Sequence, residues 1–400
     1  MTNKYNSLFE KYANLSIAVL GDYCLDEYLW IDAALNEPSL ETGLIAYQCV
    51  KRETSPGAAG TIAKNLANLG VGTIYAVGYV GDDGRGFELC QGLDALGINR
   101  SHIVKAQNRA TFTHTKPWLM EYSKTQHSDA CMGETGESLI SPQPAQELNR
   151  IDIKNQTPTP STLEDEVIGH IKTLVGHVDA IIVLDHVAEE NFGIITGKMR
   201  DALAKIAKDN PQLIMYADSR SRIGLFDYMM LKGNQYELCH AVYGQGTPVA
   251  KAFTQSEKIA INDISDAQEA RVHLAADPTV ERTDDEINHA CETLLDKTGK
   301  PVVCTLGERG AWIYHNETAF GYDHKKIEIQ ALPIIGQTDV CGAGDMFTSA
   351  FISALAAGAD MTTAGEIGNT AASICVAQLG TTGYVTAGDV CTAMLKNEKM

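Results

Sequence analysis

Short apolar runs alternate along this chain with stretches of helical periodicity, and that alternation restricts its fold more than any other feature. Residues 16–20 (SIAVL) stop at Gly21-Asp22, and residues 60–69 then place Ile62, Ala63, Leu66, Ala67 and Leu69 on a helical face closed by Gly70. Residues 72–79 (GTIYAVGY) read as the next strand, followed by a glycine-rich turn at 81–86 and a helix ending near Gly97. The rhythm returns at 179–184 (DAIIVL), in a helix over 194–208, and at 212–217 (QLIMYA). Residues 301–305 (PVVCT) and 310–314 (GAWIY) read as neighbouring strands, and 346–357 and 365–379 as two packed, alanine-rich helices. Strands separated by helices imply βαβ units, so the expected fold is α/β with a mostly parallel central sheet flanked by helices.

Two regions break the rhythm. Residues 27–53, which include GLIAYQCV, are extended with no helical partner, and residues 110–120 and 148–153 read similarly. Strands without covering helices fit a small β-lid over one edge of the main sheet, built from about 27–54 and 108–153. Trp30 and Trp118 are expected to pack within it, and its uncovered edge implies a homodimer formed through the lids. The polar stretch 121–146 reads as a mobile loop.

Charge narrows the partners. Lys and Arg total 32 against 51 Asp and Glu, a net charge of −19, which disfavours nucleic acid and anionic membranes. A phosphorylated ligand must therefore be held locally by backbone N–H groups, a metal or a few basic side chains. No apolar run reaches the roughly eighteen residues of a membrane span, and the polar start lacks the core of a signal peptide. The ten cysteines are scattered without a C-x-x-C pair, which fits reduced thiols and a cytoplasmic protein.

The sharpest local feature is residues 338–349, TDVCGAGDMFTS, which precede a helix. Gly342 and Gly344, flanking Ala343, permit a tight turn whose N–H groups point one way, and the helix N-terminus adds partial positive charge. Asp345 then stands at the mouth of an anion site. A carboxylate there suits a base that takes a proton from a group attacking a phosphate. It equally suits a cap that only accepts backbone N–H bonds. A glycine needed at 347 for a dinucleotide fingerprint is Phe347, which argues against a nicotinamide-dependent oxidoreductase, and no G-x-x-x-x-G-K-[ST] occurs.

These residues bear a family resemblance. TDVCGAGDMF is similar to the C-terminal signature of the ribokinase-like (PfkB) carbohydrate kinases. Collinear matches run along the whole chain: Gly21-Asp22 with Asp26, SPGAAGTIAKNLANLG (55–70), GYVGDDGRG (78–86), LKGNQYE (231–237) and TLGERGAW (305–312). GDYCLDEYLW, the RID at 150–152 and VLDHVAEENFGIIT (183–196) resemble the heptose-7-phosphate kinase branch most closely. No H-x-G-H motif of a second nucleotidyltransferase domain occurs, so a single kinase domain over residues 1–400 is expected.

The resemblance implies an ATP- and Mg2+-dependent kinase acting on a sugar or sugar phosphate. Asp345 would be the base, and Gly342, Ala343 and Gly344 would hold the transferring phosphoryl oxygens. Asn234 and Glu237 would organise Mg-ATP, Glu237 through metal-bound water. Thr305, Gly307 and Gly310 would approach the nucleotide, with Asn369 near the adenine. Asp339 would belong to a loop for a monovalent cation such as K+. Asp22, Asp26, Gly57, Ala58 and Thr61 would bind the acceptor, joined by Lys116, Arg150 and Asp185. A nucleoside or other small-alcohol kinase, and a catalytically silent sugar-binding regulator, share most of these residues.

Several positions depart from the family pattern. Thr61 replaces the usual sugar-binding asparagine, Gly233 a proline, and Cys341 a common threonine. Asp185-His186 replaces Ser-Asp, so one carboxylate is either shifted in register or lost. His186 reads as structural more readily than as a switch. Arg220 and Arg222 are candidates for clamping a substrate phosphate, or else surface arginines, and the acidic run 281–286 reads as a solvated face.

Overall fold

A computed structural model of the protein describes residues 4–122, 142–244, 282–316, 324–334, 336, 338–378 and 383–397. The chain opens with β1 (Ser16–Gly21), β2 (Tyr23–Ile31), β3 (Glu37–Pro38), β4 (Ile45–Ala46) and β5 (Cys49–Ala58). Then come β6 (Thr73–Gly81), β7 (Asn99–Ala106), β8 (Phe112–Tyr122), β9 (Pro142–Glu147) and β10 (Ile151–Ile153). The later strands are β11 (Ala180–Asp185), β12 (Ile214–Ser219), β13 (Met230–Asn234), β14 (Val302–Thr305), β15 (Ala311–Asn316) and β16 (His324–Ile329).

Nine strands form the central sheet in the order β16-β15-β14-β13-β12-β11-β1-β6-β7. Every pairing from β14 through β7 is parallel, and only β14–β15 and β15–β16 are antiparallel. The α/β expectation is met. Burial follows the architecture: β1 and β11 carry continuous apolar runs because helices cover both faces. The helices Ala59–Asn68 and Ala343–Ala356 pack on one face, and Ser161–Leu174 and Gly197–Asp209 on the other. The helix Met361–Val376 packs along Ala343–Ala356, and Gly368 allows this: a Cβ there would meet the Phe347 ring at 3.2 Å.

After β1 the chain turns one way to β6 and β7, then the other way to β11, β12, β13 and β14. The reversal makes the carboxyl ends of β1 and β11 a switch point, where α/β sheets open a crevice for ligands. Gly21 sits at that point, close enough to β11 that a Cβ would come within 2.6 Å of the Leu184 carbonyl oxygen.

The two regions without helices form a second sheet, ordered β10-β8-β2-β5, with β9 added along β8. Trp30 and Trp118 stand in register on it with ring centroids 6.3 Å apart. Of the polar stretch expected as a mobile loop, residues 123–141 lie outside the described residues, while 142–146 belong to β9 rather than to a loop. The acidic run holds a capping box: Thr283 Oγ1 and the Glu286 carboxylate exchange bonds at the start of the helix Asp284–Thr298.

Candidate active site

The glycine turn builds as its residues dictate. Gly342 has φ +80°, a left-handed conformation that glycine adopts without a Cβ clash, and the helix Ala343–Ala356 starts directly behind it. The two readings of Asp345 can now be separated. The helix start has no side-chain cap, and the Asp345 carboxylate accepts no hydrogen bond from the described residues. Asp339 instead closes the turn ahead of the helix, its Oδ1 accepting the Cys341 N–H at 2.9 Å. Burial pushes the Asp345 carboxyl up to about 6, with Asp218 adding to the rise and Lys232 and Arg220 opposing it. A capping carboxylate would shift the other way.

Lys232 was not singled out from the sequence, although it stands in the LKGNQYE segment. Its Nζ donates to Asp218 Oδ2 at 2.7 Å, and both side chains are buried. A Cβ on Gly344 would lie 3.0 Å from that ammonium, so the cation sits against the glycine turn. The Lys232 pKa is raised, the carboxylates of Asp218 and Glu237 outweighing the effect of burial. A lysine ending a buried strand, with an aspartate at the corresponding position of the neighbouring strand, was the available signal.

Asn234 and Glu237 come together as a capping box. Asn234 Oδ1 accepts the N–H groups of Tyr236 and Glu237, both at 2.9 Å, and Glu237 Oε2 accepts the Asn234 N–H at 2.7 Å. Burial, with help from Asp218, raises the Glu237 carboxyl to about 7. Beside them opens a cleft of about 670 Å3 lined by Thr305, Gly307, Gly310, Ala343, Gly344 and Asn369. Its size suits a nucleotide, and Gly307, at φ +60°, has open space where a Cβ would stand. Asn369 Nδ2 donates to the Gln330 carbonyl at 2.7 Å, which fixes the side chain at the cleft wall.

The acceptor candidates divide. Asp26 faces His114 Nδ1 at 3.3 Å and Lys116 Nζ at 3.4 Å, and these partners hold its carboxyl below the usual range against burial. Lys116 also stands 4.9 Å from the Tyr28 ring centre. Gly57 is the glycine that lets Asp26 in, since a Cβ there would fall 2.7 Å from the carboxylate carbon. Ala58 carries the strain of the strand-to-helix corner with φ +51°, and Thr61 is only 2% exposed in the first turn of the helix.

Asp22 and Asp185 depart from the expected sugar contacts. Asp22 Oδ2 accepts the N–H groups of His186 and Val187, both at 3.1 Å, and Oδ1 accepts that of Ile194 at 2.7 Å. Its lone pairs thus hold the loop after β11. Burial and the Asp185 charge still push its carboxyl up to about 6. Asp185 is paired with Arg222, Oδ1 with Nη2 at 2.7 Å and Oδ2 with Nε at 3.1 Å, and Oδ2 also accepts from Ser219 Oγ at 2.7 Å. Arg222 further donates to the Ala188 and Val187 carbonyls, so it is a buried strut rather than a phosphate clamp. Arg220 remains exposed, with its charge felt at both Asp345 and Glu237. Arg150 forms a forked pair with Asp152 at 2.7 and 2.8 Å. His186 is kept neutral by burial and by the Arg220 charge, its ring 6.0 Å from that of His114.

Known proteins resemble this chain in the same sense. Residues 266–387 match the family model described as pfkB family carbohydrate kinase. Two bacterial proteins named bifunctional protein HldE are similar over nearly the whole chain. That of Desulfatibacillum aliphaticivorans is 26% identical over 92% of this chain, and that of Bradyrhizobium diazoefficiens 25% over 96%. The chain spans 61% and 64% of those relatives' lengths. Among solved structures, ribokinase from Thermotoga maritima superposes with a TM-score of 0.59 at 19% identity, covering 95% of this chain and 99% of that one. Phosphofructokinase-2 from Escherichia coli gives 0.61 at 14%, covering 96% and 99%. The matched segment, the whole-chain relatives and the shared architecture point the same way: residues 266–387 are similar to pfkB family carbohydrate kinases, and the chain has a ribokinase-like fold.

Proposed function

We propose that the protein is an ATP- and Mg2+-dependent kinase that phosphorylates a hydroxyl of a sugar or sugar phosphate. The observation that carries this reading is Asp345, a carboxylate at a helix N-terminus that caps nothing and whose pKa is raised to about 6. A base must hold its proton neither too tightly nor too loosely near neutral pH, and this carboxylate meets that requirement. Asp345 takes the proton of the acceptor hydroxyl as the new oxygen–phosphorus bond forms and the bond to the departing nucleoside diphosphate breaks. The N–H groups of the 342–344 turn, backed by Lys232, hold the phosphoryl oxygens as charge builds on them. Asp26, held from behind by His114 and Lys116, accepts a hydrogen bond from the acceptor.

A bound Mg2+ would offset charge on the nucleotide phosphates, and Glu237 and Asp218 are the carboxylates that would hold it. Each already gives one oxygen to a protein donor, which favours contact through water. The heptose-7-phosphate acceptor rests on the sequence resemblance, with exposed Arg220 as the cation available for its phosphate. A homodimer through the second sheet and the β3–β4 hairpin beside it is supported by the exposure of Val50 on β5 and of Leu35, Leu40, Leu44, Ile45 and Tyr47 on and around the hairpin. No helix among the described residues is long and apolar enough to cross a membrane, and we place the protein in the cytoplasm. Transfer from γ-labelled ATP to a panel of sugars, sugar phosphates and nucleosides tests the reading. Labelling of a phosphosugar is the expected result, and labelling confined to nucleosides or to none of the panel overturns it.

A further inference from the structure

A thiol, a carboxylate and an imidazole meet where β2 pairs with β8. Cys24 and Asp26 are two residues apart on β2 and so project from the same face, while Asp26 stands in register with His114 on β8. Cys24 Sγ lies 3.5 Å from His114 Nδ1 and 3.8 Å from Asp26 Oδ1, and Nδ1 lies 3.3 Å from Oδ1. They are 0%, 6% and 8% exposed. Among the described residues this is the one cluster in which three such groups converge closely enough to share an ion.

We propose that Cys24, Asp26 and His114 form a binding site for a zinc-class divalent cation. The distances carry the argument. With metal–ligand bonds of about 2.3 Å to sulfur and about 2.0–2.1 Å to nitrogen and oxygen, tetrahedral geometry sets ligand-to-ligand edges of roughly 3.3–3.6 Å. Two of the three edges here fall in that range, and the third needs a contraction of about 0.2 Å. Thiolate, imidazole and carboxylate are each ligands that zinc accepts.

Charge also balances. The Cys24 thiolate and the Asp26 carboxylate together cancel the two charges of the ion, and the thiol proton is released to solvent when it binds. Lys116 is no obstacle at the coordinating atom, because its ammonium approaches the other carboxylate oxygen, Oδ2. The far ring nitrogen of His114, Nε2, lies 3.9 Å from Asp152 Oδ2, and Arg150 fixes that carboxylate. At 3.9 Å the two are not hydrogen-bonded; closing that gap on metal binding would give the carboxylate–imidazole pair by which metal sites fix the ring and its tautomer. The fourth position is left for water. The distances stand apart from the kinase reading, which shares Asp26: with Oδ1 on the ion, Oδ2, which Lys116 approaches, is the oxygen left for an acceptor.

The test uses the full chain with Co2+ as a coloured stand-in, in a background where Cys49, Cys131 and Cys341 are changed to serine. One equivalent is expected to bind with the charge-transfer absorption of a cobalt–thiolate bond, and zinc is expected to discharge it. Cys24→Ser is expected to abolish that band while the far-ultraviolet circular dichroism stays unchanged. His114→Gln, which keeps the thiol, is expected to weaken binding by at least about tenfold, the size of loss that even an outer-shell change produces. A background protein that shows no such band, a band that survives Cys24→Ser, or undiminished affinity in His114→Gln each overturns the site. An ordinary hydrogen-bonded thiol gives the first of these results.

Discussion

The ammonium of Lys232 lies against Gly344: a Cβ at that glycine would stand 3.0 Å from Nζ. The glycine turn is thus backed by a fixed, buried charge that Asp218 anchors at 2.7 Å. A surface lysine would trade its position for hydration, whereas this one contributes its field without reorganising. In the proposed function it would give a chain with a net charge of −19 a local cation for a nucleotide phosphate. Gly344→Ala is expected to leave stability within about 1 kcal/mol, because the crowded atom ends a flexible side chain, and to lower kcat by at least about tenfold. Urea titration and steady-state rates on the same preparation check the two parts.

Asp345 must be ionised to act as base, and burial raises its pKa to about 6. Turnover is therefore expected to fall as pH drops through about 6, and Asp345→Asn to lose at least about a hundredfold in kcat. A pH–rate profile of the wild type, set beside nucleotide affinity in the variant, distinguishes a lost base from a lost binding site. A variant with rates near wild type removes Asp345 from the role.

Lys232 pulls the Asp345 pKa downward, so removing its charge must let that pKa climb. Lys232→Met is expected to move the acidic limb of the rate profile to higher pH as well as lowering its plateau. A residue that served only to fill space would lower the plateau without moving the limb. The measured shift of the limb decides between them.

The same raised pKa has a cost in stability. A carboxyl with a folded pKa near 6 and an ordinary unfolded value binds more protons when folded, so wild-type stability declines as pH rises between the two. Asp345→Asn lacks this decline. It is expected to be more stable than wild type by about 1–3 kcal/mol above pH 6 or so, and the gain is expected to vanish below about pH 4. Thermal melts at both ends of that window measure the difference.

Asp185 and Arg222 form a buried pair, 3% and 8% exposed, that ties β11 to the segment after β12. Arg222→Met is expected to destabilise the fold by about 3–5 kcal/mol, since it leaves the buried Asp185 charge with no cation, only the Ser219 hydroxyl. Adding Asp185→Leu to it is expected to recover part of that loss. Denaturant titrations of the single and double variants check the sign of the coupling.

The local chemistry was legible in the sequence because it depends on near neighbours. Apolar runs spaced by helical periods determined a mostly parallel sheet, and two glycines ahead of an aspartate determined a turn that opens a helix. Thr305, Gly307, Gly310 and Asn369 could be assigned to one cleft from their motifs, and they do line one. Roles that depend on what arrives from elsewhere in the chain were not legible. Asp22 looked like a sugar ligand, yet three N–H groups, from residues 186, 187 and 194, already occupy acceptor sites on its carboxylate. Arg222 looked like a phosphate clamp until Asp185 came within 2.7 Å of it. Lys232, silent in the sequence, became prominent only when β12 placed Asp218 beside it and the helix at 343 placed a glycine above it. A side chain's type states which bonds it can make. Which of those bonds remain open for a ligand is settled by packing, because burial forces every polar atom that can find a partner in the protein to take one.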